Sequence, residues 1–363
     1  MIIGIDGNEA NVEQRVGIGE YSFELLRQFK EFKIQNSKFK IYLKNKPLEH
    51  MPKESGNWKY KIIGPKGFWT QLALPFHLLF DSVKPDVFFT PSHYAPRFAK
   101  MPTVISVMDL SYLYYPNLFK KMDLYQLRRW TSYSVKNAKR VLTISQASKN
   151  DIIKEYKKEA KDVVVTYPGV KQKMAMKDAK KRFIEEKYIL FVGTLQPRKN
   201  IVKLIEAFSK ITDKHSVNLV VAGKKGWLYE EIMDAPKAYG VESRVVFKNF
   251  IEDEELVNLY SHAELFILPS LYEGFGLPVL EAMQYGCPVI TSSVSSLPEV
   301  GGDAVLYVDP LSVEDIANKM NQLLSDDNLR TDLIKKGYEQ VKKFSWEKTA
   351  RQTLKILEEV VKE

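Results

Sequence analysis

The stretch from Leu265 to Ser292, LFILPSLYEGFGLPVLEAMQYGCPVITS, constrains the fold more than any other part of the chain. Its first four residues are apolar without alternation, which is typical of a parallel strand buried on both faces. The following loop contains Gly274 and Gly276, which let the backbone pass close to a ligand. Pro278 then suits the first turn of a helix, and Gly286 suits its C′ position. This order predicts one unit of a parallel α/β sheet with a ligand at the helix N-terminus.

Two carboxylates flank the start of this predicted helix. Glu273 lies in the loop and Glu281 in the expected first helical turn, so the two should approach a ligand from different directions. Each also has a plainer interpretation, because Glu281 can complement the helix dipole and Glu273 can be a solvated loop acid. Between them lie the residues whose backbone amides are predicted to face the ligand: Gly274, Phe275, Gly276 and Leu277.

Length and pattern predict two α/β domains. A chain of 363 residues is long enough for two hydrophobic cores. The first half alternates strand and helix patterns, residues 171–187 are highly charged without a strand pattern, and a second series of strands starts at Tyr188. The predicted domains are therefore residues 1–170 and 188–343, joined by a linker over 171–187 and followed by an amphipathic C-terminal helix over 344–363.

Basic residues follow two predicted strands of the second half. Arg198 and Lys199 lie just before a helix that starts near Asn200, where two fixed cations can clamp a diphosphate. Lys224 follows Gly223 at the end of the next strand and is a further phosphate candidate. Basic pairs are also common on protein surfaces, which is the alternative interpretation.

These motifs together resemble a known family. EGFGLPVLE is similar to the E-x7-E signature of the retaining glycosyltransferases of family 4, also called glycosyl transferases group 1. The resemblance covers nearly the whole chain and is strongest over Tyr188 to Asp309, while VMDLSYLYYP and GTLQPRKN look most like the mannosyltransferase-like branch. It implies the GT-B fold, in which two Rossmann-like domains face each other across a cleft and the last helix crosses back to the N-terminal domain.

The resemblance also implies roles in the second half. Glu273 would lie beside the donor sugar, and Glu281 would hold the ribose hydroxyls of the nucleotide. Arg198 and Lys199 would bind the diphosphate, and Lys224 would contribute more weakly. The amides at the helix start would complete the donor site.

In the first half the resemblance is partial. The family commonly has His-Asp at the end of a strand predicted over Thr103–Met108, where this chain has Met108 and Asp109. Methionine can neither donate a hydrogen bond to a sugar nor act as a base. Only Asp109 is therefore carried over, as a catalytic carboxylate on the acceptor side, and capping of the next turn is its alternative role. Gly17 and Gly19 correspond to the family's glycine loop beside acceptor and diphosphate.

The implied reaction moves a hexose, with mannose from GDP-mannose favoured, to a glycan or lipid-linked acceptor in cell-surface polysaccharide synthesis. Fixed cations and a helix dipole stabilise the leaving diphosphate, so neither a metal nor another cofactor is predicted. Two alternatives stay open: a non-catalytic nucleotide-sugar-binding or scaffold subunit, and a nucleotide-sugar epimerase of the same fold.

Charge is unevenly distributed along the chain. Residues 1–170 contain 27 Lys and Arg against 16 Asp and Glu, a net charge of +11, whereas residues 171–363 contain 27 and 29, a net charge of −2. The basic half predicts an anionic partner. No nucleic-acid motif accompanies it, so an anionic membrane surface fits better, with scattered solvated lysines as the alternative. A helix predicted over Trp69–Phe80 is favoured as core rather than as an interfacial surface.

The predicted location is the cytoplasm, peripheral at the inner face of the membrane if the basic half binds lipid. MIIGID leads directly into a strand, which predicts no signal peptide. The single cysteine, Cys287, fits a reducing compartment and is expected to be a buried structural thiol.

Overall fold

A computed structural model describes residues 1–15, 17–32, 37–171, 182–249 and 251–363. Over these residues the chain divides into two compact units. Unit 1 comprises Met1–Gly169 together with Ser345–Glu363, and unit 2 comprises Val170–Phe344. Most of the predicted linker, residues 172–181, lies outside the described residues. The sequence pattern also predicts a strand from Val245 to Phe250, and Phe250 lies outside the described residues as well.

Unit 1 is built on a parallel sheet that has seven strands over its described residues. The strands are β1 (Ile2–Asp6), β2 (Lys38–Leu43), β3 (Trp58–Ile62), β4 (Val87–Thr90), β5 (Thr103–Ser106), β6 (Arg140–Thr143) and β7 (Val163–Val165). Their spatial order is β3-β2-β1-β4-β5-β6-β7. The helices of this part are α1 (Ile18–Glu31), α2 (Leu74–Phe80), α3 (Ser111–Tyr114), α4 (Lys121–Asn137) and α5 (Gln146–Tyr156). Helices cover the apolar strands, so residues such as Ile3 and Ile5 are fully buried.

The segment predicted as one helix over Trp69–Phe80 is a π-helical turn, Trp69–Ala73, followed by α2. Only one face is buried, with Trp69, Leu74 and Leu78 inside. The prediction that the helix belongs to the core is therefore wrong for its other face. The reason is geometric: a helix beside a sheet buries one stripe, and this segment has more apolar residues than one stripe accommodates.

Unit 2 contains a second parallel sheet, with six strands over its described residues. The strands are β8 (Tyr188–Val192), β9 (Asn218–Ala222), β10 (Val245–Lys248), β11 (Leu265–Leu268), β12 (Val289–Ser292) and β13 (Val305–Val308). The helices are α6 (Ile201–Ser209), α7 (Glu230–Ala238), α8 (Asp253–His262), α9 (Leu277–Gln284), α10 (Leu297–Gly301), α11 (Val313–Ser325) and α12 (Asp327–Val341). The spatial order β10-β9-β8-β11-β12-β13 is that of a dinucleotide-binding sheet.

The last helix, α13 (Trp346–Lys362), belongs to unit 1. Its apolar face, which includes Trp346 and Leu357, packs into the same hydrophobic cluster as Ile3 and Ile5. The chain returns close to where it left, because a Cβ atom added at Gly169 would lie only 2.2 Å from the backbone nitrogen of Trp346. The predicted fold class, two Rossmann-like domains with a last helix that returns to the first, is confirmed.

Candidate active site

The strand order places a ligand-binding edge between β8 and β11. These two strands are neighbours, and the chain moves outward from them in opposite directions, which opens a crevice at their carboxyl ends. The loop after β8 contains Arg198 and Lys199, and the loop after β11 contains Glu273. The topology thus brings together three predicted site residues that are far apart in sequence.

Glu273 lies at the centre of a buried ion-pair cluster. Its carboxylate Oε1 is 2.5 Å from Lys199 Nζ, and its Oε2 is 3.2 Å from Arg198 Nη1. Ser270 Oγ donates a third bond to Oε1 at 2.6 Å. Glu273 is 6% exposed, so the interpretation as a solvated loop acid is wrong. Burial alone would raise the pKa of Glu273, but the charges of Lys199 and then Arg198 outweigh it and lower that pKa to about 2.

The two cations are held by a short 3₁₀ turn, Pro197–Lys199, directly before α6. The next residue, Asn200, donates through Nδ2 to the carbonyl oxygens of Pro269 at 3.0 Å and Pro310 at 2.7 Å. Asn200 therefore ties the loop after β8 to the loops after β11 and β13. Two cations paired with one carboxylate leave an excess positive charge in this crevice, which suits an anionic ligand.

The glycine loop turns sharply into α9. Gly276 has φ +115°, a left-handed value that favours glycine, and it is the N-cap residue of α9. A Cβ atom here would lie 2.8 Å from Leu297 Cδ2, so a side chain at this position requires the buried Leu297 side chain to shift. The first backbone amides of α9, from Leu277 and the residues just before it, therefore lie next to the Glu273 cluster. The positive end of the helix dipole lies at the same place.

Two serines that the sequence reasoning missed hold this loop. Ser295 Oγ accepts from the backbone N–H of Glu273 at 2.9 Å. Ser296 Oγ lies 2.8 Å from the carbonyl oxygens of both Glu273 and Phe275, and its hydroxyl can donate to either. Both serines follow β12 in the string SSLPE, so the available signal was a pair of hydroxyls at the end of a neighbouring strand.

Glu281 is in the second turn of α9, and its predicted place in the first turn is wrong because the helix begins at Leu277. The dipole-complement interpretation loses its basis, since that effect falls off within one turn. Instead, the Tyr260 hydroxyl donates to Glu281 Oε2 at 3.0 Å. Burial, and then the negative charge of Glu281, raises the pKa of Tyr260 well above its usual range. The C′ role of Gly286 is confirmed by its φ of +73° after α9.

Lys224 lies at the carboxyl end of β9, beside the loop that carries the two cations. Its carbonyl oxygen accepts from the backbone N–H of Leu195, in the loop after β8, at 2.8 Å. The structure thus places Lys224 at the same sheet edge as Arg198 and Lys199, one strand further out.

The candidate residues of the first half belong to unit 1, whereas the Glu273 cluster belongs to unit 2. Gly17 is the N-cap residue of α1 with φ +51°, and Gly19 is in the first turn of that helix. The strand predicted to reach Met108 ends at Ser106. The Met108 carbonyl oxygen, beyond the strand, accepts from Ser148 Oγ at 2.9 Å. Asp109 Oδ1 accepts from the backbone N–H of Ser111 at 2.8 Å, so it caps the turn that starts α3.

Sequence reasoning also missed His93, which follows β4 at the corresponding switch in strand order of unit 1. Its Nδ1 is buried and finds no hydrogen-bond partner among the residues that the structure describes. Burial lowers the pKa of His93, while the negative charge of Asp109 opposes that shift. The signal in the sequence was a histidine three residues after a buried strand.

Three further expectations concern the cysteine, metal ligands and membrane-spanning helices. Cys287 is buried, and burial raises the pKa of its thiol, so the structural role predicted for it is confirmed. Within the described ranges, no group of three or more His, Cys, Asp or Glu side chains is arranged to hold a metal ion. None of the helices there combines the length and the apolar character needed to cross a membrane.

Two family models match the chain. Residues 173–340 match the model of glycosyl transferases group 1, and residues 47–173 match the model of glycosyltransferase family 4. The O-antigen chain mannosyltransferase B of Escherichia coli is 32% identical over 281 residues, which cover 75% of this chain and 74% of that protein. The serotype-specific mannosyltransferase WbdA of Escherichia coli is 33% identical over 225 residues, but these cover 58% of this chain and only 27% of WbdA.

Solved structures share the fold over almost the full length. Sucrose-phosphate synthase from Thermosynechococcus elongatus has a TM-score of 0.77 at 19% identity, with 99% of this chain and 98% of that chain covered. HepE of Anabaena in complex with UDP and glucose has a TM-score of 0.76 at 19% identity, with 98% and 99% covered. The GT-B fold implied by the sequence is thereby confirmed. Together with the match to the Escherichia coli mannosyltransferase, these findings show that the chain belongs to the family 4 glycosyltransferases of glycosyl transferases group 1.

Proposed function

We propose that this glycosyltransferase moves mannose from GDP-mannose to a glycan or lipid-linked acceptor, with retention at the anomeric carbon, in the synthesis of a cell-surface polysaccharide. The observation that carries this proposal is the buried cluster of Glu273, Lys199 and Arg198 beside the start of α9. The choice of mannose is supported by the names of the relatives at 32% and 33% identity, both mannosyltransferases.

Leaving-group stabilisation would come from fixed positive charge. Arg198 and Lys199 carry one more charge than Glu273 neutralises, and the N-terminus of α9 adds a partial charge of about +0.5. Because Glu273 already holds both cations in place, little reorganisation is needed when a diphosphate binds. Lys224 at the neighbouring strand end would add weaker attraction. This arrangement supplies the charge that a metal ion would otherwise provide, so the proposal includes neither a metal nor a cofactor.

Glu273 is suited to stabilise a sugar cation rather than to take a proton. A carboxyl group with a pKa of about 2 is a weak base, and its two oxygens are engaged by Lys199 and Arg198. This supports a front-face substitution in which the leaving phosphate accepts the proton of the acceptor hydroxyl. Glu281, oriented by Tyr260, would bind the ribose hydroxyls.

The acceptor side is assigned to unit 1. Asp109 would bind an acceptor hydroxyl while its other contact caps the start of α3. Gly17 and Gly19, at the start of α1, would leave room for the acceptor or the diphosphate beside the backbone. A location in the cytoplasm, at the inner face of the membrane, is part of the same proposal.

Donor identity can be tested by thermal unfolding of the full chain with GDP, GDP-mannose, UDP or UDP-glucose, each with and without EDTA. A ligand at 100 times its dissociation constant stabilises the folded state by about 2.7 kcal/mol. We expect stabilisation by GDP and GDP-mannose that EDTA does not change. Stabilisation by UDP alone would contradict the donor assignment. Loss of the stabilisation by GDP-mannose in the presence of EDTA would contradict the proposal that no metal ion is needed. No response to any of these ligands would favour a scaffold subunit without a working donor site, or a donor outside this set of ligands.

Lys199→Met is the variant that tests the cluster itself. It should remove most of the stabilisation by GDP-mannose and lower transfer by about 100-fold or more, because one charge on the diphosphate is lost. The matched control is Lys203→Met in the first turn of α6, where the ammonium lies 3.4 Å from the carbonyl oxygen of Leu311. Equal effects of the two substitutions would show that Lys199 acts only through general charge. NMR of the product measures the anomeric configuration of the transferred sugar, which should be the same as in the donor.

A further inference from the structure

A row of exposed apolar side chains runs along one side of the segment Phe68 to Phe80 in unit 1. Phe68, Leu72, Phe76 and Phe80 recur at every fourth residue and are 68%, 63%, 67% and 67% exposed. The rings of Phe76 and Phe80 have centroids 4.6 Å apart, so these two members of the apolar row touch each other. Four large apolar side chains in one row are more than the single exposed residues found on ordinary protein surfaces.

The opposite side of the segment is firmly anchored. Trp69, Leu74 and Leu78 are buried and pack into a hydrophobic cluster with Tyr42 and Phe88. Trp69 Nε1 also donates to the carbonyl oxygen of Ile63 at 3.2 Å. Because this side is fixed to the sheet, the apolar row cannot be buried by rotation of the helix. Its exposure is therefore a property of the folded unit.

Charged residues in the stretch of chain around the apolar row are mainly positive. Residues 59–84 contain four lysines and a single acidic residue, Asp81. The four lysines are exposed and are Lys59, Lys61, Lys66 and Lys84. The Asp81 side chain is only 6% exposed and lies 3.2 Å from Lys40 Nζ, so it does not offset these charges at the surface. Residues 59–84 therefore combine the exposed apolar row with four exposed lysines and no exposed acidic side chain.

We propose that unit 1 docks on an anionic lipid bilayer through the apolar row, with the four lysines at the level of the lipid phosphates. Phenylalanine and leucine side chains enter the boundary between headgroups and acyl chains, and lysines are attracted by anionic headgroups. A second copy of the chain fits less well, because it would bring the same lysines face to face. The inference rests on the proposed function in one respect: a lipid-linked acceptor would be presented by that same bilayer.

The test is co-sedimentation of the full chain with vesicles of phosphatidylcholine alone and with vesicles of an equal mixture of phosphatidylcholine and phosphatidylglycerol. We expect binding to the mixed vesicles only, and weaker binding as salt is added. Phe76→Ser combined with Phe80→Ser should lower the partition coefficient by about tenfold or more. The matched control is Leu311→Ser in unit 2, where the leucine is 67% exposed and partition should not change.

A charge variant tests the second half of the proposal. Lys61→Glu combined with Lys66→Glu should also lower partition by about tenfold or more, and this loss should shrink at high salt. Absence of binding to mixed vesicles, or unchanged binding in both double variants, would overturn the proposal. So would a dimer that the serine substitutions convert to a monomer without any lipid binding, since that result assigns the apolar row to a second copy.

Docking and donor binding can fail independently. The thermal shift with GDP-mannose, measured without vesicles, should be the same in the wild type and in both double variants, which also shows that they fold. A normal shift without vesicle binding would reject the docking surface alone. Vesicle binding without any nucleotide-dependent shift would reject the proposed donor and leave the docking surface in place.

Discussion

Glu273 shows how a buried acid is kept ionised by its neighbours. Only 6% of the residue is exposed, yet the pKa falls to about 2 because two cations lie within 3.2 Å of its carboxylate oxygens. The same contacts fix Lys199 and Arg198, so the three side chains act as one unit. Removal of Glu273 takes away the carboxylate that both cations share, and removal of either cation leaves the buried carboxylate with one positive charge fewer beside it.

The pH dependence of stability follows from this lowered pKa. Ionised Glu273 should contribute roughly 3 kcal/mol to the free energy of unfolding above about pH 4.5, and this contribution should disappear as the pH falls towards 2. Urea unfolding of the wild type and of Glu273→Gln at several pH values measures it. The difference between the two proteins should be largest at neutral pH. The exposed pair of Glu314 with Lys210 provides the control: Glu314→Gln should leave stability unchanged. A difference for Glu273→Gln that is independent of pH would contradict this account.

Tyr260 is expected to position Glu281 for the nucleotide. Tyr260→Phe removes the buried bond of 3.0 Å to Glu281 and should cost about 1 to 2 kcal/mol of stability. The KM for the donor should rise while kcat changes little, because the ribose contact acts in ground and transition state alike. Tyr188→Phe is the matched control, since it removes an equally buried bond of 2.8 Å to the carbonyl oxygen of Leu259. A rise in donor KM for both variants would indicate a general loss of packing.

At this scale the sequence predicts residue types better than contacts. Glu273, Arg198 and Lys199 could be singled out because each follows a buried strand. Their mutual ion pairs could not be predicted, because they depend on the order of strands in the sheet. The roles of Ser295 and Ser296 could not be predicted for the same reason. Their hydroxyls bind the backbone of a loop from a neighbouring strand, and the sequence does not show which loop that is.

Helix α9 begins at a glycine whose backbone conformation is left-handed. Gly276 must take a left-handed φ of +115° while Leu297 closes the space where a side chain would be. The turn therefore fixes both where the helix begins and where its first amides point. Prediction placed the helix correctly but put Glu281 one turn too early, because Pro278 marks a helix start only to within a residue or two.

Gly276→Ala should destabilise the protein by more than about 1 kcal/mol and abolish most donor binding, because the backbone or Leu297 must shift. Gly240→Ala is a suitable control. Gly240 also has a positive φ, +68°, but an added Cβ atom would meet no other atom within 4 Å. We expect Gly240→Ala to cause a backbone strain comparable to that of Gly276→Ala. In thermal unfolding, however, GDP-mannose should stabilise Gly240→Ala as much as it stabilises the wild type. Normal nucleotide binding in Gly276→Ala would show that the turn has no role in the site.

The segment Trp69–Phe80 illustrates what an element-level pattern cannot decide. Its sequence is apolar enough to be core, but only one face of it is buried. Which residues are turned outward depends on the π-helical turn Trp69–Ala73, which shifts the register of side chains before α2 begins. Such a turn leaves no clear signal in composition or periodicity.

For the whole molecule, the last helix is part of the first unit. Leu357 is fully buried in the cluster that contains β1, whereas Val361, one turn further on, is 37% exposed. Leu357→Ala should therefore cost about 2 to 5 kcal/mol, and Val361→Ala less than about 1 kcal/mol. Denaturant unfolding followed by tryptophan fluorescence measures both, since Trp346 lies in the same cluster. Equal small costs would mean that α13 does not contribute to this core.

Unit 2 lies in the sequence between two parts of unit 1, and Gly169 and Trp346, on either side of it, are in close contact. The chain leaves and re-enters the first unit at adjacent positions, so the excised segment has neighbouring ends. A coding sequence that joins residues 169 and 345 through a few glycines would encode unit 1 without interruption. Recombination at these two points could then exchange the proposed donor module as a cassette while the proposed acceptor module keeps its own core.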